Sequence, residues 1–490
     1  MKRQVAIAAV PLLVGLLLAG CGPHQQPPDP PDPPEPPEPT ARLSWITCPD
    51  AIEVQFISRH ECGQLSVPQS SSDSAGPAVK LLVLKVWPVG KDPDGFLTSL
   101  GSNYGSPMPL GGDIAAGATR SGTVAALPAL RGSGTHAVPS LACPETAQIH
   151  TAGVADDHPA TRAAFTAAVD ACARRLRAAG VEPAHYDAAS TAADAEQLRT
   201  ALEVEQWVSL ATYGTSSPTL ITYLDTYPGK AEVAFFDSPA SPDLDPLTAG
   251  VVGLDSALAA FDRDHPGVLR DWSAALKVTR DRPLHGSSDG VQVTIDDAKL
   301  LRLIRFSLGG DGPDNASQVP AMLAAARTGK LHPRLAKLAA DDPAYCAGYT
   351  PMCVTDFSLG LFLTDFCQQL PEDTGKLNAA VAGRPAYREV FAESPYLEAC
   401  RVWAVPRKPL PELMNPELPI LVLTGEYDSF SRPEWAEAWV RRLGDRAWSV
   451  TIPGQTHNVL GSSACAVAIR DAWRLHPSSP PDTSCARPAR

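Results

Sequence analysis

The chain has 490 residues, 44% hydrophobic and 19% charged, so it can bury a large core, and wholesale disorder is excluded. Lys and Arg number 41 against 54 Asp and Glu, a formal net charge of −13 with no basic run, which argues against nucleic acid as a partner because phosphate binding needs clustered Lys and Arg. At roughly 100–200 residues per domain, the length fits two to four domains or one large α/β unit with an insertion.

Residues 1–21 read as an address rather than as fold. Lys2 and Arg3 precede an apolar run from Val5 to Leu18, and Leu18-Ala19-Gly20-Cys21 closes it with small residues before a cysteine. That pattern resembles a bacterial lipoprotein signal, in which Cys21 becomes the lipidated first residue of the mature chain. The apolar run is shorter than the ~20 residues a spanning helix needs. The expectation is a protein of the cell envelope, tethered to a membrane by its lipid and facing outside the cytoplasm. Residues 22–40 alternate Pro with acidic residues and read as an extended polyproline II spacer. Setting Cys21 aside leaves ten cysteines, an even count that suggests disulfides in an exported chain.

Residues 80–88 and 96–100 read as strands, with a Gly-rich loop following from Gly101 and Ser102 to Gly105. A buried segment at 123–130 ends at Arg131-Gly132-Ser133-Gly134. Helical composition follows at 159–180 and 191–202. A strand at 207–213 runs into Gly214-Thr215-Ser216-Ser217-Pro218, a helix is expected at 219–226, and a strand at 232–236 ends at Asp237. This alternation predicts a mostly parallel sheet covered by helices. The rhythm is lost from about 240 to 400, where helical stretches dominate. It returns with a strand at 418–424, a helix at 432–443, a strand at 447–452 and a helix near 464–475. The simplest organisation is one α/β core, 41–240 plus 401–490, interrupted by a helical insertion over 241–400.

Three loops follow strands and carry residues fit for acyl-transfer chemistry. Ser216 sits in a strand-to-helix turn, where a serine can be held open at a helix N-terminus. Asp428, after strand 418–424, can orient a histidine; its ordinary alternative is to cap the next helix. His457, after strand 447–452, can act as general base. The order Ser, Asp, His, each after a strand, is that of α/β-hydrolases.

Trp45, Cys48 and Glu61-Cys62-Gly63-Gln64-Leu65-Ser66-Val67-Pro68 resemble the opening of the secreted tripeptidyl aminopeptidase-like hydrolases, relatives of the prolyl aminopeptidases. Further matches are Arg131-Gly132-Ser133-Gly134, Cys143-Pro144-Glu145, Asp194, Arg199, Trp207, Tyr227-Pro228, Asp237-Ser238, Ala399-Cys400 with Trp403, and the 418–465 block. The resemblance implies an α/β-hydrolase fold with a helical cap and a serine exopeptidase that releases short peptides from N-termini, some members also cleaving esters. It implies Ser216 as nucleophile, His457 as base and Asp428 as its partner, with backbone donors to the oxyanion from Ser217 and from the loop at Gly101 and Ser102. No metal or organic cofactor is called for. It also suggests pairing of Cys48 with Cys62 and Cys143 with Cys172, and Cys465 with Cys485. The chain departs from the family at the elbow. Counting back without gaps from Tyr227-Pro228 puts Gly214 at the serine's place, counting forward from Arg199 and Trp207 puts Tyr213 there, and Ser216 reaches it only with a small length change. The competing expectation is a catalytically inactive lipoprotein that keeps the fold for binding or scaffolding.

Overall fold

The structure is a computed structural model. It describes residues 42–49, 59–70, 73–88, 92–101, 122–134, 137–147, 158–310, 316–341, 357–408 and 416–486, with residues 90, 149 and 153–155. The expected signal, the Pro-rich spacer, Cys21 and Ser102 lie outside the described residues.

A ten-stranded sheet forms the centre. Its path runs β1 (Arg42–Ile46), β2 (His60–Ser70), β3 (Asp73–Val86), β5 (Val124–Pro128), β4 (Phe96–Ser99), β7 (Ser209–Tyr213), β8 (Ala234–Asp237), β11 (Ile420–Gly425) and β12 (Ala447–Ile452), with the short β6 (Ala137–Val138) beside β3. The first strands pair antiparallel up to β3 with β5. Every pair from β5 through β12 is parallel. That strand order, with β4 and β5 exchanged and the parallel run continuing to β12, is the α/β-hydrolase topology plus one extra edge strand. From β4 the chain crosses to β5 on one side and later returns to β7 on the other, so the switch point lies at the carboxyl ends of β4 and β7, where open α/β sheets take their ligands.

Parallel strands covered on both faces should read as continuous apolar runs, and β5, β8 and β11 are buried at every position. Alternate side chains feed different cores. Ile420 and Val422 join Phe236 and Leu210 on one face, while Leu421 and Leu423 pack with Phe235 and Ile452 on the other. The strands and helices expected from the sequence are present, with ends shifted by a few residues. The expected helix at 159–180 spans Pro159–Ala178, and that at 191–202 spans Ala188–Ala201.

The insertion after β8 differs from a purely helical one. It contains an antiparallel hairpin, β9 (Leu284–Ser288) with β10 (Val291–Ile295), turned by Asp289 and Gly290 at positive φ. Alternating polar and apolar residues at 291–295 carry the strand signal. The insertion also divides between two cores. Helices Pro246–Asp264, Val268–Asp281 and Asp297–Gly309 build a core of their own with Tyr387 and Phe391. Leu359, Leu363, Ala399 and Trp403 instead pack with Phe165 and Val169 in the main core.

The three expected disulfides, Cys48–Cys62, Cys143–Cys172 and Cys465–Cys485, are formed, and Cys367–Cys400 is a fourth. The last joins two helices that leave the insertion to pack on the main core. Several of the family-like landmarks prove structural. The buried Arg131 guanidinium bonds Asp194 at 2.8 Å and donates to the carbonyls of Gln69 and His185, each at 2.8 Å. Burial opposes its charge, but the Asp194 carboxylate more than restores it, and the pKa of Arg131 rises. Trp207 Nε1 donates to the Tyr223 hydroxyl, which donates to Glu196, and Arg199 pairs with the same carboxylate.

Removing one member of a buried ion pair strands the other's charge. Asp194→Asn should therefore lower unfolding stability by about 3–5 kcal/mol. A denaturant midpoint unchanged under non-reducing conditions would contradict this account of Arg131.

Candidate active site

The site gathers at the carboxyl ends of β7, β8, β11 and β12. From β11, Gly425 enters the loop that carries Asp428. A Cβ on Gly425 would lie 2.1 Å from the carbonyl oxygen of Thr456, so only glycine lets the Asp428 loop and the His457 loop pack this closely. The Tyr427 amide then donates to the carbonyl of Gln455 at 2.9 Å and binds the two loops together.

Asp428 and His457 meet as expected. His457 Nδ1 lies 2.7 Å from Asp428 Oδ2, and both side chains are almost fully buried. The other carboxylate oxygen accepts from the amides of Phe430 at 2.7 Å and Ser431 at 2.9 Å. Asp428 thus caps its own turn and orients the histidine at once. A carboxylate facing Nδ1 selects the tautomer with the proton there, which turns a lone pair on Nε2 toward the cavity. The ring is held between Tyr213, at 4.9 Å between centroids, and Phe430, at 5.4 Å and edge-on.

The structure does not bring Ser216 to this pair. The residue that faces Nε2 is Gly214. It follows β7 directly, has φ +53°, and a Cβ built on it would stand 3.3 Å from His457 Nε2. The gapless count from Tyr227-Pro228 therefore gives the register that the fold adopts. Residues Gly214–Ser216 form one 3-10 turn before helix Ser217–Thr226. At three residues per turn, Ser216 is rotated about 240° from Gly214, away from the histidine. Its side chain is buried, makes no hydrogen bond to His457, and lines no part of the cavity that Gly214, Thr215 and His457 share.

Ser217 is corrected with it. Its amide donates to the carbonyl of Gly214 inside the turn, and its hydroxyl donates to the same oxygen at 2.7 Å. A backbone N–H committed in that way is no oxyanion donor. In a strand-turn-helix elbow the donor is the residue after the nucleophile position, which here is Thr215. Gly101 does sit beside the elbow: a Cβ on it would lie 2.7 Å from the Tyr213 amide nitrogen. Ser102, the other expected donor, falls outside the described residues.

Asp237, noted in the sequence only as a landmark, proves to be a positioning residue. It ends β8, is buried, and accepts from the amides of Val459 at 3.1 Å and Leu460 at 2.9 Å, as well as from the Ser238 hydroxyl. The Ser238 hydroxyl in turn accepts from the Asn458 amide at 3.1 Å. Together they fix the segment just past His457. Burial pushes the pKa of Asp237 up, to about 6, against the opposing pull of these donors and of His457. Its apolar flanks, Phe235 and Phe236 in β8, were the sequence signal that an acid here would be buried.

The cavity above these residues is about 220 Å³ and is roofed by the insertion, through Leu247, Phe306 and Phe391. The roof is tied to the loops that carry Asp428 and His457. Ser429 Oγ donates to the carbonyl of Arg305 at 2.7 Å, and Thr456 Oγ1 to that of Gly310 at 2.8 Å.

Residues 384–485 match the family model described as TAP-like protein. The matched segment runs from the end of the insertion through both strands β11 and β12. It contains both Asp428 and His457. Among solved structures, the chain is similar to the proline iminopeptidase of Mycobacterium smegmatis, with 12% identity, 85% of this chain and 98% of that one covered, and a TM-score of 0.40. It is similar to a proline iminopeptidase-related protein of Thermus thermophilus at 17% identity, covering 86% and 100%, TM-score 0.36. A thermophilic esterase of Thermogutta terrifontis matches at 14% identity, covering 85% and 99%, TM-score 0.34. No curated protein matches the chain. The α/β-hydrolase fold itself is read from the strand order of the central sheet.

A carboxyl whose folded pKa lies above its unfolded value of 3.8 binds more protons folded than unfolded between the two. The contribution of Asp237 to stability is therefore largest below about pH 4 and falls as pH rises to about 6. Wild type should lose stability relative to Asp237→Asn over that window in urea unfolding. A gain of wild type relative to Asp237→Asn as pH rises would refute the buried, raised carboxyl.

Proposed function

We propose that the chain is an acyl hydrolase that works without a serine nucleophile, His457 serving as general base for water on a small ester or amide held in the cap cavity. The observation that carries this reading is Gly214 at the elbow, facing His457 Nε2 at the distance a nucleophile's Cβ would take. In the proposed step, Nε2 removes a proton from water as the water oxygen attacks the acyl carbon. The Thr215 amide faces the developing oxyanion. The tetrahedral adduct then collapses, and the imidazolium returns the proton to the departing alcohol or amine. Asp428 stabilises the imidazolium between the two events. No acyl-enzyme forms. Binding and an oxyanion donor without the serine are worth roughly 10³–10⁴-fold over water, so slow turnover is expected.

The peptidase form of this reading would seat a substrate's N-terminal amine at Glu389, the carboxylate among the described cavity residues. The competing reading, a binding protein without turnover, draws on the same glycine. Ester hydrolysis separates the two: His457→Ala should lower it by about 100-fold from a measurable wild-type rate. A wild-type rate equal to that of His457→Ala supports the binding protein. Fluorophosphonate should leave wild type unlabelled and label Gly214→Ser at the new serine, at a stability cost of about 1–3 kcal/mol for a side chain at positive φ. Labelling of Ser216 in wild type would overturn the assignment.

The proposal extends to location. Lys2, Arg3, the apolar run and Leu18-Ala19-Gly20-Cys21 support a lipid-anchored envelope protein, and four disulfides fit an oxidising compartment. Replacing Cys21 by Ser should move the protein from the membrane fraction to the soluble one, and equal fractionation of the two would rule out lipidation.

A further inference from the structure

The Arg and Glu side chains of the cavity are already engaged within the protein. Arg162 donates to the carbonyl of Glu393. Arg302 and Arg305, on helix Asp297–Gly309, and Glu389 each hold interactions with other parts of the chain. The rest of the described lining is largely apolar. A ligand that brought its own charge would have to break one of these interactions or stay unpaired in an apolar space, and an unpaired charge out of water is costly. A neutral ligand meets neither cost.

One wall of that space is aromatic. Phe362 and Phe366 lie four apart on helix Leu359–Gln368 and so share one face, and their rings stack at 5.4 Å between centroids. Tyr396, on helix Pro395–Trp403, meets both edge-on, at 5.2 and 5.7 Å. All three are only partly buried, and they line the same cavity as Gly214 and His457. The wall is braced. Phe165, fully buried, packs edge-on against Tyr396 at 5.8 Å. Trp403 Nε1 donates to Thr364 Oγ1 at 3.0 Å, and the Cys367–Cys400 disulfide joins the two helices right beside Phe366. Leu363 and Trp403 sit in the same core as Leu210 of β7, so the wall and the Gly214 turn share one support. A wall fixed before binding costs little to order when a ligand arrives.

Fixed rings discriminate among apolar guests. Aromatic pairs in edge-to-face or offset geometry gain beyond the area they bury, a gain that a saturated ring does not share. We infer that the cavity takes the acyl part of a neutral arylalkyl ester or amide, its aromatic ring against Phe362, Phe366 and Tyr396 and its carbonyl at the end formed by Gly214 and His457. The place of the carbonyl rests on the proposed hydrolase reading, whereas the ring subsite stands on the wall itself. The substrate class is then uncharged aryl acyl compounds rather than peptides with a free amine.

The probes are benzyl methyl ketone, its cyclohexyl counterpart, phenylacetate and phenethylammonium, titrated calorimetrically into the mature chain at neutral pH. The ketones mimic an ester and are not turned over. Benzyl methyl ketone should bind more tightly than the cyclohexyl ketone by roughly 2- to 10-fold, although the saturated ring is the more hydrophobic, and more tightly than either charged probe by roughly 10-fold or more. Phe362→Leu and Phe366→Leu, which keep apolar contact but remove a ring, should each reduce the preference for the aryl over the cyclohexyl ketone, and Tyr396→Phe should keep it. Equal or tighter binding of the cyclohexyl ketone, tightest binding of a charged probe, or absence of benzyl methyl ketone binding would each overturn the inference on wild-type protein alone, whatever the variants do. A preference that persists in full in both leucine variants would also overturn it. Hydrolysis of methyl phenylacetate reports on the other reading: a rate no higher than that of His457→Ala removes the hydrolase and leaves the ketone result to stand or fall by itself.

Discussion

The left-handed turn at Gly214 is the constraint on which the site depends. A parallel strand that ends at the switch point must reverse into a helix within a few residues, and the reversal needs a positive φ at the residue nearest the cavity. The turn is pinned through one atom: the Gly214 carbonyl accepts from the Ser217 amide, the Ser217 hydroxyl and the Ala240 amide. In a nucleophile elbow the strain of that conformation is tolerated to expose a reactive oxygen. Here glycine adopts it without strain, and the backbone keeps its shape while the reactive atom is absent. The machinery around it is otherwise kept. His457 remains oriented by Asp428, and Asp237 still holds the segment beyond it.

The buried carboxylates show how a protein with excess acid uses it. Asp428, Asp237 and Asp194 are all buried, and each is spent on a different donor set: an imidazole with two amides, two amides with a hydroxyl, and a guanidinium. Charges taken out of water survive only with such partners.

Cap and core act as one piece at the site. The Arg305 and Gly310 carbonyls accept from Ser429 and Thr456, residues adjacent to Asp428 and His457. The close approach of Gly253 to the Ser429 carbonyl, 2.3 Å from a built Cβ, adds a third tie. A change in the roof is therefore felt directly by the acid and base loops, and the helix that bears the arginines is the one that makes two of these contacts.

Local pattern was enough to read much of this from the chain. Apolar runs of five or six residues followed by glycine or polar turns marked β7, β8, β11 and β12, because a strand covered on both faces has no polar side to show. Asp428 and His457 were legible because each directly follows such a strand, and three cysteine pairs because each lies close to a landmark. The hairpin at 284–295 was obscured by the helices around it, and Asp237 looked like a strand end because its two amide donors come from over 200 residues away. The nucleophile position, and with it the oxyanion donor beside it, is what local sequence misassigned. Three residues within Tyr213–Ser216 fitted it by counting, and a serine is the chemically attractive choice. The side chain that faces a histidine is set by the rotation of a 3-10 turn and by the packing of β12 against β11, and neither is written in the order of residues 213–216. The sequence by itself determined the strands, the fold class and the His–Asp pair, since these follow from hydrophobic pattern and chain order. Only the tertiary structure decided that glycine stands opposite the base and that arginines enter the cavity, because both depend on which side chains distant segments turn toward one another.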